Sequence, residues 1–422
     1  MRLGRRARWV MIGAMVALVL AVGASGRVRH ALRERVEPAP PKLTITPGAN
    51  VTDVPVSTEI GATVAGGKIS AVTLADAKGN RVEGSMRDDG SAWVPNSALE
   101  HQQVYTVQVT ATNDAGRSTT QTATFTTMAK PDNPTATQLN VTDGGRYGVA
   151  MPITVNFDVA VPDVARAEVQ RRLFVTTDPA QPGAWHWVNG KEVYYRAPDF
   201  WQPGTKINVR VGLGGHPLGE GRYGDTDRAA TATIGEKVWL DIDNNTKQMS
   251  VFKNDDLVRK IPVSMGKRST PTSSGKMVIM EKFESTVFDT RGSPDPYVVT
   301  VQDAQRLTDG GEFIHSAPWS VGSQGYANVS HGCTNVSPED AAWLFRTTSI
   351  GDLLTIQNTE VALDPGNGWT AWNMTWDEYI KGSALPVPAD LKPTPVPAPG
   401  TAPDSAGNAN TSPTPTPTTK GR

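Results

Sequence analysis

The run Tyr105-Thr-Val-Gln-Val-Thr-Ala-Thr constrains this chain more than any other feature, because apolar and polar side chains alternate in it with a period of two. Successive side chains point to opposite faces only in an extended strand, so the run belongs to a sheet with one face in a core and one in water. It stops at the turn signal Asn113-Asp-Ala-Gly, and Ser118 to Thr127 supplies a second, Thr-rich strand. Short runs of this kind fill the chain from about Leu43 to Thr127. Turn signals separate them roughly every 8 to 12 residues, which predicts an antiparallel sandwich.

Length and punctuation extend this reading. A chain of 422 residues exceeds one compact core and points to about three domains. Lys130-Pro-Asp-Asn-Pro marks a boundary. A second β-rich block follows to about Ile234, with strands near Ile153-Thr-Val-Asn-Phe, Glu192-Val-Tyr-Tyr-Arg and Ile207-Asn-Val-Arg-Val, and with Trp185, Trp187 and Trp201 as core anchors. No Cys-Trp-Cys pattern occurs, so any immunoglobulin likeness is one of architecture. His101, His186 and His216 fall in these blocks outside any cluster and read as ordinary histidines.

A third block begins near Lys237. Val238-Trp-Leu-Asp-Ile, the turn Asp243-Asn-Asn and Gln248-Met-Ser-Val-Phe form a hairpin, and Leu257 to Met265 and Met277 to Glu281 continue the sheet. Pro338-Glu-Asp-Ala-Ala-Trp-Leu-Phe reads as a helix with Ser337 as N-cap and acids in its first turn. Gly351-Asp-Leu-Leu-Thr-Ile returns to strand. Trp369, Trp372, Trp376 and Tyr379 are expected to pack a C-terminal extension onto this third block. Beyond Leu385 the chain is Pro, Thr, Ala and Ser and cannot bury a core.

The formal net charge of -1 argues against a nucleic-acid binder. Arg2, Arg5, Arg6 and Arg8 precede the apolar run Trp9 to Ala24, the pattern of an export signal, either cleaved near the small residues Gly23 to Gly26 or kept as a membrane anchor. The uncleaved anchor is the favoured reading, against which the Arg27, Arg29, Arg33 and Arg35 group weighs. With no cysteine near Ala24, a lipid-modified cysteine is excluded. The bulk of the chain is therefore expected outside the cytoplasm.

The whole chain contains one cysteine, Cys333. It has no internal disulfide partner, and a lone thiol in an oxidising compartment is a liability unless it has a task. It sits in Ser330-His-Gly-Cys-Thr-Asn335, downstream of His315-Ser-Ala-Pro-Trp-Ser. A cysteine attacks a carbonyl as thiolate and needs a base or a positive field beside it. Either His331, two residues before it, or His315, on a returning strand, can serve. Gly332 lets backbone amides turn towards a developing oxyanion. A structural buried cysteine and a zinc site of His315, His331 and Cys333 are the competing readings; the metal lacks a fourth ligand at suitable spacing. Ser273-Ser-Gly-Lys276 matches a Ser-x-x-Lys motif, but that motif opens a helix and Met277-Val-Ile-Met continues a strand, so it is rejected.

The segment Ser330-His-Gly-Cys-Thr-Asn335 with His315 upstream resembles the signature of the bacterial L,D-transpeptidases. Met265-Gly-Lys, Thr270-Pro-Thr, His315-Ser-Ala-Pro-Trp-Ser-Val-Gly and Asn335-Val-Ser-Pro are similar to the same family, notably its actinobacterial members. The resemblance implies a mainly β protein: two tandem immunoglobulin-like sandwiches, then a β-rich catalytic domain with a short helix and a C-terminal extension. The expected order is a signal anchor and linker over 1–41, modules over 42–130 and 131–235, the catalytic domain over 236–358, a Trp-rich extension over 359–384 and a tail over 385–422.

By the same resemblance Cys333 is the nucleophile and His315 the base, oriented by the carbonyl of Ser316. His331 joins them, with Gly332, Ser316 and Thr334 shaping the oxyanion loop. Tyr297, Gly310, Gly311, Trp319, Ser330 and Asn335 are the expected substrate contacts, under a lid from Phe283 to Thr308. The implied reaction takes the carbonyl before the terminal D-Ala of a tetrapeptide stem, releases D-Ala, and passes the acyl group to a diaminopimelate amine as a 3→3 cross-link. No cofactor or metal is implied, and carbapenems are expected to acylate the same sulfur. The rival readings are an L,D-carboxypeptidase that uses water at the same site, and a wall-binding protein without activity.

Overall fold

A computed structural model describes residues 38–87, 89–292 and 295–392, so the expected signal anchor and most of the Pro/Thr-rich tail lie outside the described residues. The described residues divide into two compact units, one within 1–139, 155–175 and 208–230, the other within 140–154, 176–207 and 231–422. The division passes through the second β-rich block.

In the first unit the opening alternation forms the strand Val104–Thr112, whose odd positions Tyr105, Val107, Val109 and Ala111 are buried while their neighbours face outwards. It lies inside a five-stranded sheet in the order Val51–Val54, Ser118–Thr127, Val104–Thr112, Lys68–Asp76 and Arg81–Val82. A four-stranded sheet, Lys42–Thr46, Ile60–Ala65, Ala92–Pro95 and Gly84–Met86, supplies Leu43, Ile45 and Trp93 to the same core. On the wet face, cross-strand hydroxyls such as Thr110 and Thr120, 2.9 Å apart, explain the Thr-rich composition. Glu59 is held between Arg87 and Arg172 in this unit, with Arg172 Nη1 3.0 Å from its carboxylate. The helix Asp163–Gln170 was not expected from the strand-like surroundings; Pro162 at its N-cap and Asp163 in its first turn are the local signals for it.

The second unit contains the third block. A six-stranded sheet runs Asp256–Pro262, Gln248–Lys253, Val238–Asp243, Leu353–Gln357, Ser273–Val278 and Val361–Ala362. Beside it a four-stranded sheet runs Glu281–Asp289, Val298–Arg306, Phe313–Ser316 and Thr334–Val336. Leu240, Ile242, Val251, Ile261, Ile314 and Val336 share one core with Leu344 of the helix Pro338–Thr347. That helix starts where the sequence placed it, with Ser337 Oγ accepting from Asp340 N at 3.1 Å. Ser273 to Lys276 is strand, as its rejection as a helix-opening motif requires.

The C-terminal extension packs more widely than expected. Trp372 contacts Val278 and Leu353 of the third block, but its Nε1 donates to Ala150 O at 2.7 Å and its ring lies 4.5 Å from that of Phe200. Arg196, almost fully buried and with no carboxylate bonded to it among the described residues, donates to the carbonyls of Ala371 and Met374 and lies against the rings of Trp372 and Tyr379. The extension therefore also closes on residues of the second β block. Cation–π contact and main-chain acceptors replace the ion pair that a buried guanidinium otherwise needs.

Candidate active site

The site grows from a parallel pairing of two short strands. Phe313–Ser316 and Thr334–Val336 run side by side with Ile314 opposite Thr334, His315 opposite Asn335 and Ser316 opposite Val336. Continuing that register by one residue sets Cys333 opposite Phe313, two positions from His315. The pleat then turns His315, Cys333 and Asn335 to the same face. All three line one cavity of about 360 Å³, closed by Phe288, Tyr297 and Val299 of the lid hairpin and by the half-exposed ring of Trp319.

Hydrogen bonds lock the loop that carries the cysteine. Ser330 Oγ donates to Cys333 O at 2.6 Å and accepts from Gly332 N at 3.1 Å. Thr272 Oγ1 donates to Gly332 O at 2.7 Å and accepts from Gly266 N at 2.8 Å. Gly332 has φ +126°, a conformation that a Cβ makes costly, which accounts for glycine beside the thiol. Its amide is engaged by Ser330 and is not a free donor in this arrangement.

His315 is 4% exposed, and its Nδ1–H donates to Ser316 O at 2.9 Å, which leaves Nε2 as the basic nitrogen. Burial holds its pKa below the ordinary histidine value against the pull of the Ser316 carbonyl. Cys333 is 7% exposed; burial pushes its thiol up to about 12, a backbone hydrogen bond at Phe313 opposes this, and the charge of Glu312 adds to it. The thiol donates weakly to Gly311 O at 3.7 Å. The resting pair is therefore a neutral thiol and a neutral imidazole.

His331 does something else. Its Nε2 lies 2.7 Å from Asp295 Oδ2, its ring packs 4.7 Å from that of Tyr297, and it stands at the wet rim of the cavity. Asn335 Nδ2 donates to Ser320 Oγ at 3.1 Å, while its Oδ1 is buried without a partner among the described residues. Thr334 points into the opposite, core side, Ser316 contributes its carbonyl, and Gly310 N is taken by Asn367 Oδ1 at 2.7 Å. Tyr297, Trp319, Ser330 and Asn335 thus reach the cavity, whereas Gly310, Gly311, Gly332, Ser316 and Thr334 are not part of its lining.

Sequence reasoning missed five contributors, one of them Val329 in the cavity wall. Phe288 and Val299 are lid residues whose alternation marks them as strand and nothing more. Asp295 is an unremarkable loop acid. Glu312 stands directly before Phe-Ile-His; its Oε1 accepts from both Ser273 N and Ser273 Oγ at 2.9 Å, and its Oε2 is buried without a partner among the described residues. Among the described residues no group of His, Cys, Asp and Glu is placed to hold a metal ion.

A buried cysteine and a neutral, oriented imidazole facing one cavity define a cysteine acyl-transfer site. The family model for the L,D-transpeptidase catalytic domain matches residues 237–356, and that for a bacterial Ig domain matches residues 51–217. L,D-transpeptidase 2 of Mycobacterium tuberculosis is 36% identical over 351 residues, covering 82% of this chain and 85% of that protein. L,D-transpeptidase 5 of the same organism is 30% identical over 381 residues, covering 87% and 82%. A solved LD transpeptidase, LdtMt1 in complex with imipenem, is 33% identical, covering 54% of this chain and 100% of its own, with a TM-score of 0.45. The chain belongs to the L,D-transpeptidase family, and it is an enzyme of peptidoglycan cross-linking.

Proposed function

We propose that Cys333 and His315 carry out two successive acyl transfers between peptide stems. As Sγ attacks the carbonyl before the terminal D-Ala, His315 Nε2 takes the thiol proton. The S–C bond forms and, on collapse, the C–N bond breaks; the imidazolium returns the proton to the departing amine of D-Ala. The side-chain amine of a second stem's diaminopimelate then attacks the thioester, His315 removes its proton, and the thiol is restored with a 3→3 link made. The covalent intermediate divides one hard step into two easier ones. The observation that carries this reading is the register of the two parallel strands, which sets His315 and Cys333 on one face with His315 Nδ1 tied to Ser316 O.

The orphaned Oδ1 of Asn335 is a fitting acceptor for a substrate N–H. Carbapenems are expected to acylate Cys333, since their strained carbonyl meets the same nucleophile. The Arg-flanked apolar segment before residue 38 anchors the chain at the membrane in this proposal, and the β modules carry the active site outwards to the wall. Incubation with purified disaccharide-tetrapeptide, read by mass spectrometry, tests the central claim. A dimer that has lost one D-Ala, absent with Cys333→Ala, is expected; tripeptide alone would mean that water resolves the thioester and that the carboxypeptidase reading replaces this one.

A further inference from the structure

At the rim of the cavity, Lys267 Nζ donates to Asp295 Oδ2 at 2.6 Å, and the same oxygen lies 2.7 Å from His331 Nε2. The two nitrogens are themselves 3.1 Å apart. Both are fixed to the catalytic loop independently of Asp295: Lys267 N donates to Ser330 O at 2.9 Å, and His331 is the second residue before Cys333. Asp295 instead comes from the lid, between the strands Glu281–Asp289 and Val298–Arg306, and its side chain is 60% exposed. Two nitrogen donors converging on a single carboxylate oxygen form a carboxylate station, which His331 joins to the cavity of the nucleophile.

We infer that Lys267 and His331 read the free terminal carboxylate of the donor peptide, and that Asp295 occupies their station until substrate displaces it. The inference rests on the acyl-transfer reading above and deepens it. The attacked carbonyl precedes the last residue of the donor, so the terminal carboxylate lies one residue, about 3.8 Å along the chain, beyond the scissile unit. His331, two residues from the cysteine across the bend at Gly332, lines the same cavity as the thiol. The station also explains how the site would select a donor ending one residue past the cleaved bond: a longer or amidated peptide offers no anion there and cannot replace Asp295.

The test uses the full-length protein with two donors, a tetrapeptide with a free terminal D-Ala carboxylate and the same peptide with a terminal carboxamide, and compares their kcat/KM. The acid is expected to be favoured about tenfold or more, the loss typical of one charge-assisted hydrogen bond. Lys267→Gln should bring the acid-to-amide ratio close to one, mainly through KM, and Lys267→Arg should restore most of it. Asp295→Asn, which removes the competing anion, should raise the ratio. Equal use of both donors by the wild type, or a ratio untouched by Lys267→Gln, would overturn the inference. A ratio lowered by Asp295→Asn would overturn the displacement step.

If no variant turns over either donor, the Kd of both peptides for Cys333→Ala and for Cys333→Ala/Lys267→Gln separates the two claims. A preference for the acid that disappears with Lys267 keeps the station and sinks the transpeptidation reading; equal Kd values sink the station.

Discussion

His331 is the nearer of two histidines to Cys333 in sequence, and His315 is the nearer in chemistry. The first stands on the wet rim, with its nitrogen on a lid carboxylate and its ring against Tyr297. The second is buried on a strand, its tautomer set by a main-chain carbonyl and its basic nitrogen on the same sheet face as the thiol. Strand register decides which side chains meet, because residues two apart on paired strands share a face whatever loop joins them. Burial then decides the charge state. In the dry region both thiol and imidazole rest neutral, whereas the rim holds charged groups in contact with water.

The largest expected effect separates the two histidines directly. His315→Ala should lower kcat/KM for transpeptidation by roughly 10²- to 10⁴-fold, the usual worth of a positioned general base. His331→Ala should cost far less and act mainly on KM. Equal losses in kcat would break the comparison and place both rings at the proton transfer.

Burial acts on a second group beneath the same domain. Asp352 is 1% exposed, its Oδ1 lacks a partner among the described residues, and burial raises its pKa to about 8, opposed by the Ser349 amide and by Lys282. A carboxyl with a folded pKa above its unfolded one stabilises when protonated, so stability should be greatest below about pH 4 as far as this group is concerned and fall as pH rises towards 8. Asp352→Asn should therefore stabilise the protein more at pH 9 than at pH 5, by on the order of 4 kcal/mol, the linkage accumulated between pH 5 and the folded value near 8. Urea unfolding at the two pH values checks this; a gain of equal size at both would mean that packing, not charge, explains it.

A smaller effect sharpens the neutral-pair description. His315 must be unprotonated to act, and burial places its pKa below 6.5. The acid limb of kcat/KM should therefore have its midpoint below 6.5, and the stability that comes from keeping the ring neutral should be lost as pH falls from 6.5 through that folded value. An acid midpoint above 6.5 would instead indicate a thiolate–imidazolium pair at rest.

The readable parts of this molecule were those in which a local pattern and the tertiary outcome share one cause. Period two in Tyr105 to Thr112 is both a strand signal and a burial pattern, and Ser337-Pro338 with two acids is both a helix start and its cap. The cysteine motif was legible because the thiol stands alone in the chain. Glu312 and Asp295 were not, since nothing local distinguishes a carboxylate that meets Ser273 or Lys267 across the fold from one in water. The helix Asp163–Gln170 was missed for a related reason: its context is strand, and eight residues are too few for a helical period to stand out. The reach of Trp372 to Ala150 is likewise a contact between distant segments that composition cannot carry.

The smallest effect belongs to the rim. The Lys267–Asp295 contact is exposed, and such pairs trade Coulomb attraction against side-chain ordering and salt screening. Asp295→Asn should leave the thermal midpoint unchanged within error, in low salt and in 0.5 M salt on the order of a Debye length of only a few ångströms. A clear drop in the midpoint, larger at low salt, would show that Asp295 fastens the lid as a structural clasp. An unchanged midpoint alongside an altered response to the donor's carboxylate would place its whole contribution in recognition, and would confine the stabilising chemistry of this domain to its dry side.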